Sequence, residues 1–264
     1  MKTVIHADVE LSTLILGPED GSPIVLLHGL VSGNMATWYS TVALPLAKTH
    51  RVALYDLRGH GDSSLPQQGF DLDSHVGDLL AVIGARLPNA RQVDLVGHSL
   101  GALIALRFAL TYPERVRRLV LIDAPMPAKH WVGPSLSGVK SSAALAEWVN
   151  EQPYLMNDSR GRRRERLHRR LESLLLSSTL VADVMTMESE SDVALRMLQL
   201  PVLLIYGQHS PCLEVGYQLQ KILPNAELTL LDCGHYIPVE MPGALRQILE
   251  QYFAPAHSQI MELE

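Results

Sequence analysis

Ser99 stands between two glycines in the stretch Val93-Asp94-Leu95-Val96-Gly97-His98-Ser99-Leu100-Gly101. A serine hydroxyl is a weak nucleophile until a neighbouring base takes its proton. The apolar run Val93–Val96 reads as a strand, and Leu100–Leu110 reads as a helix. Gly97-x-Ser99-x-Gly101 therefore occupies a strand–turn–helix corner, the setting of a nucleophile elbow. Gly97 and Gly101 have no Cβ, so the turn can close while strand and helix approach each other. The Leu100 amide then points to where an attacked carbonyl oxygen gathers charge. The alternative for this stretch is a glycine-rich helix start with a capping serine.

His235 is the candidate base. It lies in Asp232-Cys233-Gly234-His235, a turn after the apolar strand Glu227–Leu231. From there a loop can carry the imidazole over Ser99, where it takes the proton and later gives it to the leaving group. A surface histidine is the plainer alternative. The chain holds eleven histidines, but no His-x-His or His-x-x-x-His pair, so neither a metal nor a cofactor is expected.

These residues need a scaffold, and the alternation of elements supplies one. Residues 4–16 read as one or two strands ending at Gly17-Pro18. Ile24–Leu27, Val52–Tyr55, Val93–Val96, Leu119–Ile122, Val202–Tyr206 and Glu227–Leu231 are short apolar runs. Between them lie helical patterns: Trp38–Lys48, Ser74–Leu87 with Asp73 as its cap, Leu100–Leu110, Val215–Leu223 and a last helix to about Phe253. Wholly apolar strands alternating with amphipathic helices indicate a parallel sheet covered on both faces. In such sheets the ligand sits beyond the carboxyl ends of the strands. Ser99, His28 and Asp123 all fall at such ends. The rhythm breaks from Pro125 to about Leu198, roughly seventy residues with helical patterns and no strand; a structureless loop of that length does not suit a compact domain. The expected organisation is a core of residues 1–125 and 199–256 with a helical cap at 126–198. The tail, 257–264, is set aside, and Leu263-Glu264 reads as a cloning remnant.

His28-Gly29, Asp56-Leu57-Arg58-Gly59-His60-Gly61-x-Ser63, Gly97-His98-Ser99-Leu100-Gly101 and Gly234-His235-x-x-Pro238-x-Glu240-x-Pro242 resemble, in order, the motifs of the α/β-hydrolases. The resemblance covers nearly everything outside the cap. It implies an α/β-hydrolase fold, a mostly parallel sheet of about eight strands flanked by helices. It also implies Ser99 as nucleophile, His235 as base, and the amides of Leu30 and Leu100 as oxyanion donors, each such donor being worth about 3 kcal/mol. His28, His60 and His98 would be loop-packing residues. Asp56, Asp232 and Glu240 would hydrogen-bond loop backbone.

The acid departs from the pattern. In most relatives it follows the strand at Val202–Tyr206 in a Gly-x-x-Asp turn; here that turn is Gly207-Gln208-His209-Ser210. A hydroxyl at 210 can accept from the histidine but cannot balance an imidazolium. Asp123 is the favoured replacement, 24 residues beyond Ser99 at the end of the adjacent strand. The other readings are a weak Ser210 dyad, Glu214 reaching in from the same loop, or Ser210 as a degenerate or engineered position.

The cap carries Arg160, Arg162, Arg163, Arg164, Arg166, Arg169 and Arg170 in a chain of net charge −6. One reading is a solvated face supported by Glu165 and Glu172. The other, assigned to Arg162, Arg163, Arg166, Arg169 and Arg170, is docking of an acidic partner such as an acyl carrier protein or the phosphates of coenzyme A. Nucleic acid is not expected, because aromatics make up only 5% of the chain and give no stacking set. The apolar remainder (Trp131, Val132, Leu136, Val139, Leu145, Trp148, Leu174 to Leu176, Val181, Val184, Met185, Met187) suits cap packing with a hydrophobic tunnel for an acyl chain. This combination is similar to biosynthetic thioesterases and carrier-protein ester esterases. Two cysteines, no signal-like N-terminus and no membrane span point to a cytoplasmic protein. The expected activity is hydrolysis of an acyl thioester or ester. The rivals are C–C bond hydrolysis of a β-diketone and a degenerate hydrolase serving as a ligand receptor.

Overall fold

The structure is a computed structural model that describes residues 2–30, 33–128, 136–151 and 162–254, with the side chains of 162–164 left out. One sheet of eight strands organises it. The strands are β1 (Lys2–His6), β2 (Val9–Leu16), β3 (Ser22–Leu27), β4 (His50–Tyr55), β5 (Val93–His98), β6 (Val116–Ile122), β7 (Val202–Gly207) and β8 (Ala226–Leu231). Their order across the sheet is β1-β2-β4-β3-β5-β6-β7-β8. β1 and β2 form an antiparallel hairpin, turned at Ala7 and Asp8 with positive φ, and β2 runs antiparallel to β4. Every later pairing is parallel, so the carboxyl ends of β3 through β8 share one edge.

The unbroken apolar runs follow from burial on both faces. In β3, Ile24 and Leu26 join a layer with Trp38, Val42, Leu245 and Phe253. Val25 and Leu27 face the other way, into a layer with Val76, Leu79, Ile104 and Phe108. Alternate side chains of one strand thus enter opposite cores, and neither face can be polar.

The crossover after β3 is broken into α1 (Met35–Trp38), a π-turn (Tyr39–Ala43) and α2 (Leu44–Leu46), where one helix over 38–48 is expected. Pro45 has no N–H to donate and sits in the first turn of α2, a position proline tolerates only at a helix start. The next helix, α3 (Leu72–Arg86), is capped by Asp71, whose carboxylate accepts from the Ser74 amide. The expected cap, Asp73, lies inside the first turn and pairs with Arg107 at 2.8 Å. The elbow helix is α4 (Leu100–Thr111).

Between β6 and β7 the described residues hold α5 (Ser142–Asn150), α6 (Arg162–Leu176), α7 (Leu180–Thr186) and α8 (Asp192–Met197). Their buried residues, Leu136, Val139, Leu145, Leu171, Leu174, Leu175, Leu180, Val184, Met187 and Leu195, belong to the same apolar cluster as one face of the sheet. Met185 is exposed. Trp131, Val132 and Arg160 lie outside the described residues, and so do the side chains of Arg162, Arg163 and Arg164. The chain closes with α9 (Leu213–Ile222), α10 (Ile237–Glu240) and α11 (Pro242–Phe253). Among the described residues no helix is long and apolar enough to cross a membrane.

Candidate active site

Three strand ends bring three side chains together. Ser99 leaves β5 in the left-handed region, with φ 54° and ψ −118°, a conformation that costs a serine about 1–2 kcal/mol. The glycines make the corner possible. A Cβ on Gly97 would lie 2.2 Å from the Gly101 carbonyl oxygen, and one on Gly101 would lie 2.5 Å from the carbonyl oxygen of Leu27 in β3. The Ser99 amide is anchored to the Ile122 carbonyl at 2.9 Å, which ties the elbow to β6.

His235 comes from the turn after β8. Its Nε2 lies 3.0 Å from Ser99 Oγ, and its Nδ1 lies 2.5 Å from Asp123 Oδ2. The turn is held on two sides. Glu240 accepts from the amides of Gly234 and Tyr236 at 2.7 and 2.9 Å, the residues that bracket the histidine. His98 donates its Nε2–H to the His235 carbonyl at 2.9 Å. Ser99 and Asp123 are buried, while the His235 side chain keeps 20% of its surface.

Asp123 follows β6 with φ 49°, and its amide reaches the Ile205 carbonyl at 2.8 Å. Its Oδ1 accepts from the Gly207 amide at 3.0 Å. Its Oδ2 accepts from the Ser210 hydroxyl as well as from His235. Ser210 therefore acts as a donor to the carboxylate, not as an acceptor from the histidine: with a buried carboxylate in reach, its proton goes there. Ser210 Oγ also accepts from the Cys212 amide at 3.0 Å. Glu214 is exposed in the first turn of α9.

On the opposite side of Ser99, Gly29 presses so close that a Cβ there would sit 3.2 Å from Ser99 Cβ. Leu30 follows it, and Leu100 opens α4, so both segments named as oxyanion donors border Ser99. His28 pins this loop. Its Nδ1–H donates to Gly29 O at 2.8 Å and its Nε2 accepts from the Leu57 amide at 2.9 Å. Burial lowers the pKa of His28 and of His98 to about 4, and that of His60 to about 3, so all three stay neutral near pH 7. They pack and hold loops, as the resemblance implies. Asp56 likewise holds backbone, the amides of Met35 and Asp62, whereas Asp232 pairs at the surface with His209.

Asp123, Cys212 and His235 bring a carboxylate oxygen, a thiol and a ring nitrogen within 4.8 Å of one another. Two of these groups are already joined to each other, and burial pushes the Cys212 thiol up to about 12, so the set offers no ready thiolate to a cation. On α6, Arg166 and Arg169 are exposed. Arg170 turns inward and donates to the carbonyls of Gly59, His60 and Ser63 at 3.0, 3.1 and 2.6 Å. Glu172 accepts from Ser142 on α5. Glu240 holds loop backbone, as expected, whereas sequence reasoning missed the buried Arg58–Asp78 pair, in which both carboxylate oxygens are engaged at 2.7 Å.

A chain with this strand order, elbow and triad of contacts can be compared with known proteins. The sequence profile of the family described as the alpha/beta hydrolase fold matches residues 22–145. The chain has the α/β-hydrolase fold. A protein of Bacillus subtilis described as a 2-succinyl-6-hydroxy-2,4-cyclohexadiene-1-carboxylate synthase is 26% identical over 257 residues, spanning 89% of this chain and 92% of the relative. The 2-hydroxy-6-oxo-2,4-heptadienoate hydrolase of Pseudomonas putida is 25% identical over 253 residues, 89% of this chain and 90% of the relative. The crystal structure of a hydrolase from Pseudomonas aeruginosa superposes with a TM-score of 0.77 at 22% identity, covering 96% of this chain and 98% of that one.

Proposed function

We propose that the protein is a serine hydrolase that cleaves carboxylic esters or thioesters through an acyl-enzyme. The observation that carries this reading is the continuous contact from Ser99 Oγ to His235 Nε2 at 3.0 Å and from His235 Nδ1 to Asp123 Oδ2 at 2.5 Å. Ser99 attacks the acyl carbonyl while His235 takes the hydroxyl proton at Nε2. Asp123 holds the Nδ1–H and offsets the imidazolium charge. The amides of Leu30 and Leu100 donate to the oxyanion. Collapse passes the proton from His235 to the departing alcohol or thiol. Water, deprotonated by His235, then attacks the acyl carbon and frees Ser99 with the acid as product.

The substrate we assign is a hydrophobic acyl group, in keeping with the apolar lining expected of the cap. A carrier-protein or coenzyme A thioester fits the exposed Arg166 and Arg169 on α6. Cys212 and Cys233 are free and buried, which suits a reducing cytoplasm. Turnover of an aryl ester and of an acyl thioester by wild type and Ser99→Ala tests the reading. A loss of at least about 10⁴-fold in the variant is expected, and equal rates would refute it. For the carrier, Arg166→Ala/Arg169→Ala is expected to raise KM for acyl-carrier-protein substrate about fivefold at low salt, with the effect shrinking as salt screens the pair. An unaltered KM would remove the carrier from the account.

C–C bond hydrolysis is the second reading, favoured by the full-length match to the heptadienoate hydrolase. Turnover of a β-diketone-like substrate with none of any ester would establish it. A receptor that does no chemistry would leave Ser99 unlabelled by a fluorophosphonate.

A further inference from the structure

Arg170 sits in the arginine run, yet it is half-buried. It lies three residues from both Leu167 and Ser173 and four from Leu174, on the side of α6 that carries Leu167, Leu171 and Leu174 against the core. Its guanidinium spans the turn after β4, donating Nε–H to Gly59 O and Nη2–H to His60 O and Ser63 O. Leu174, one turn on, closes over the same loop: a Cβ on Gly59, where φ is +78°, would meet it at 2.7 Å. One loop of the core is thus held from above by one turn of the cap.

That loop borders the oxyanion side of Ser99. The His60 ring packs against the His28 ring, with centroids 5.2 Å apart and planes tilted by 56°. His60 is itself fixed by its Nδ1 contact with Arg58 O at 2.9 Å. His28 joins the two loops, accepting from the Leu57 amide on one side and donating to the Gly29 carbonyl on the other. Gly33 leaves no slack here, since a Cβ on it would lie 2.2 Å from Gly29 O and 2.6 Å from His28 Nδ1. Gly29 in turn abuts Ser99 and precedes Leu30.

We infer that Arg170 is a positioning residue for acyl transfer: it clamps the 59–63 turn so that His60 and His28 hold the Gly29-Leu30 segment at the distance an oxyanion needs. This rests on the serine-hydrolase reading. It separates Arg170 from its neighbours Arg166 and Arg169, whose charge faces outward. The three carbonyls ask for a planar fork with donors in several directions; a lysine ammonium has the charge but not the span.

The test uses Arg170→Ala, Arg170→Gln and Arg170→Lys in the full chain, with folding checked by circular dichroism. In the folded variants kcat for an aryl ester is expected to fall about 10- to 100-fold with KM changed less than threefold, as for a small displacement of a reacting group. Lysine is expected to restore little, and guanidinium ion in solution is expected to recover part of the Arg170→Ala loss. Loss confined to KM, or to thermal stability with kcat intact, would overturn the inference, because a cap merely loosened would behave so. The ring resonances of His28 provide a readout independent of turnover: they are expected to shift in Arg170→Gln, and unshifted resonances overturn the linkage. If wild type neither turns over nor labels, the hydrolase reading fails. The His28 shift then still decides whether Arg170 sets this loop.

Discussion

The turns after β6 and β7 meet over one carboxylate and contribute unequally to it. The first supplies the carboxylate itself, Asp123, fully buried in a left-handed conformation. The second supplies donors to it, the Gly207 amide and the Ser210 hydroxyl. Parallel neighbours in register end at the same edge, so either turn lies within reach of a histidine arriving from β8. The identity of the strand that bears the acid is therefore less constrained than the point at which its oxygen must sit. A carboxylate on either turn could orient His235, provided the other turn offers groups that donate.

The sharpest way to break this comparison is Asp123→Asn. It keeps the shape but presents His235 with an amide and the wrong tautomer, and a loss of about 10⁴-fold in kcat is expected for an aryl ester. Parity with wild type would show that the acid lies elsewhere. Adding Ser210→Asp to that variant moves the carboxylate to the second turn. The double variant is expected to regain about 10- to 100-fold over Asp123→Asn alone, whereas Ser210→Asp beside an intact Asp123 sets two carboxylates in contact and is expected to lower thermal stability. No recovery would mean that the β7 turn does not reach His235 Nδ1. Ser210→Ala removes one donor and leaves the acid in place; kcat is expected to fall about three- to tenfold, measured alongside KM.

The smallest effect on turnover near neutrality is a pH dependence of stability. His28, His60 and His98 have pKa values pushed down to about 4, 3 and 4 by burial, against 6.5 in the unfolded chain. Above pH 6.5 both states are neutral there and these groups contribute no slope. Between pH 6.5 and about 4 the unfolded chain binds protons that the folded chain refuses, so stability falls on acidification by about 1 kcal/mol per pH unit for each group. Burial raises the pKa of Asp56, which acts with the opposite sign at lower pH. Denaturation at pH 5.5 and 7.5 checks this, since few carboxylates titrate in that window. A midpoint no lower at pH 5.5 than at 7.5 would contradict the burial of these rings.

What the sequence disclosed is what sterics and spacing determine locally. The elbow was legible because Gly97 and Gly101 each face a carbonyl oxygen within 2.5 Å of an added Cβ. Asp123 was legible because it ends the strand beside the elbow strand, and a histidine base needs a carboxylate that the neutral Ser210 does not supply. What failed depended on partners distant in sequence. Asp71 precedes the helix and caps it, whereas Asp73 lies in its first turn and pairs with Arg107, 34 residues away. The Ser210 hydroxyl can donate or accept, and the direction is set by Asp123, 87 residues back. Arg170 joined its neighbours in a charge run, although its place beside Leu167, Leu171 and Leu174 in the helical repeat was a signal that it turns inward.

The most direct test of the account is the rate of fluorophosphonate labelling, with the modified residue mapped by peptide mass, in wild type and Asp123→Asn. The account predicts stoichiometric labelling of Ser99 alone in wild type, and labelling slowed by several orders of magnitude in the folded variant. Labelling at another residue, or equal rates in the two proteins, would contradict a triad of Ser99, His235 and Asp123.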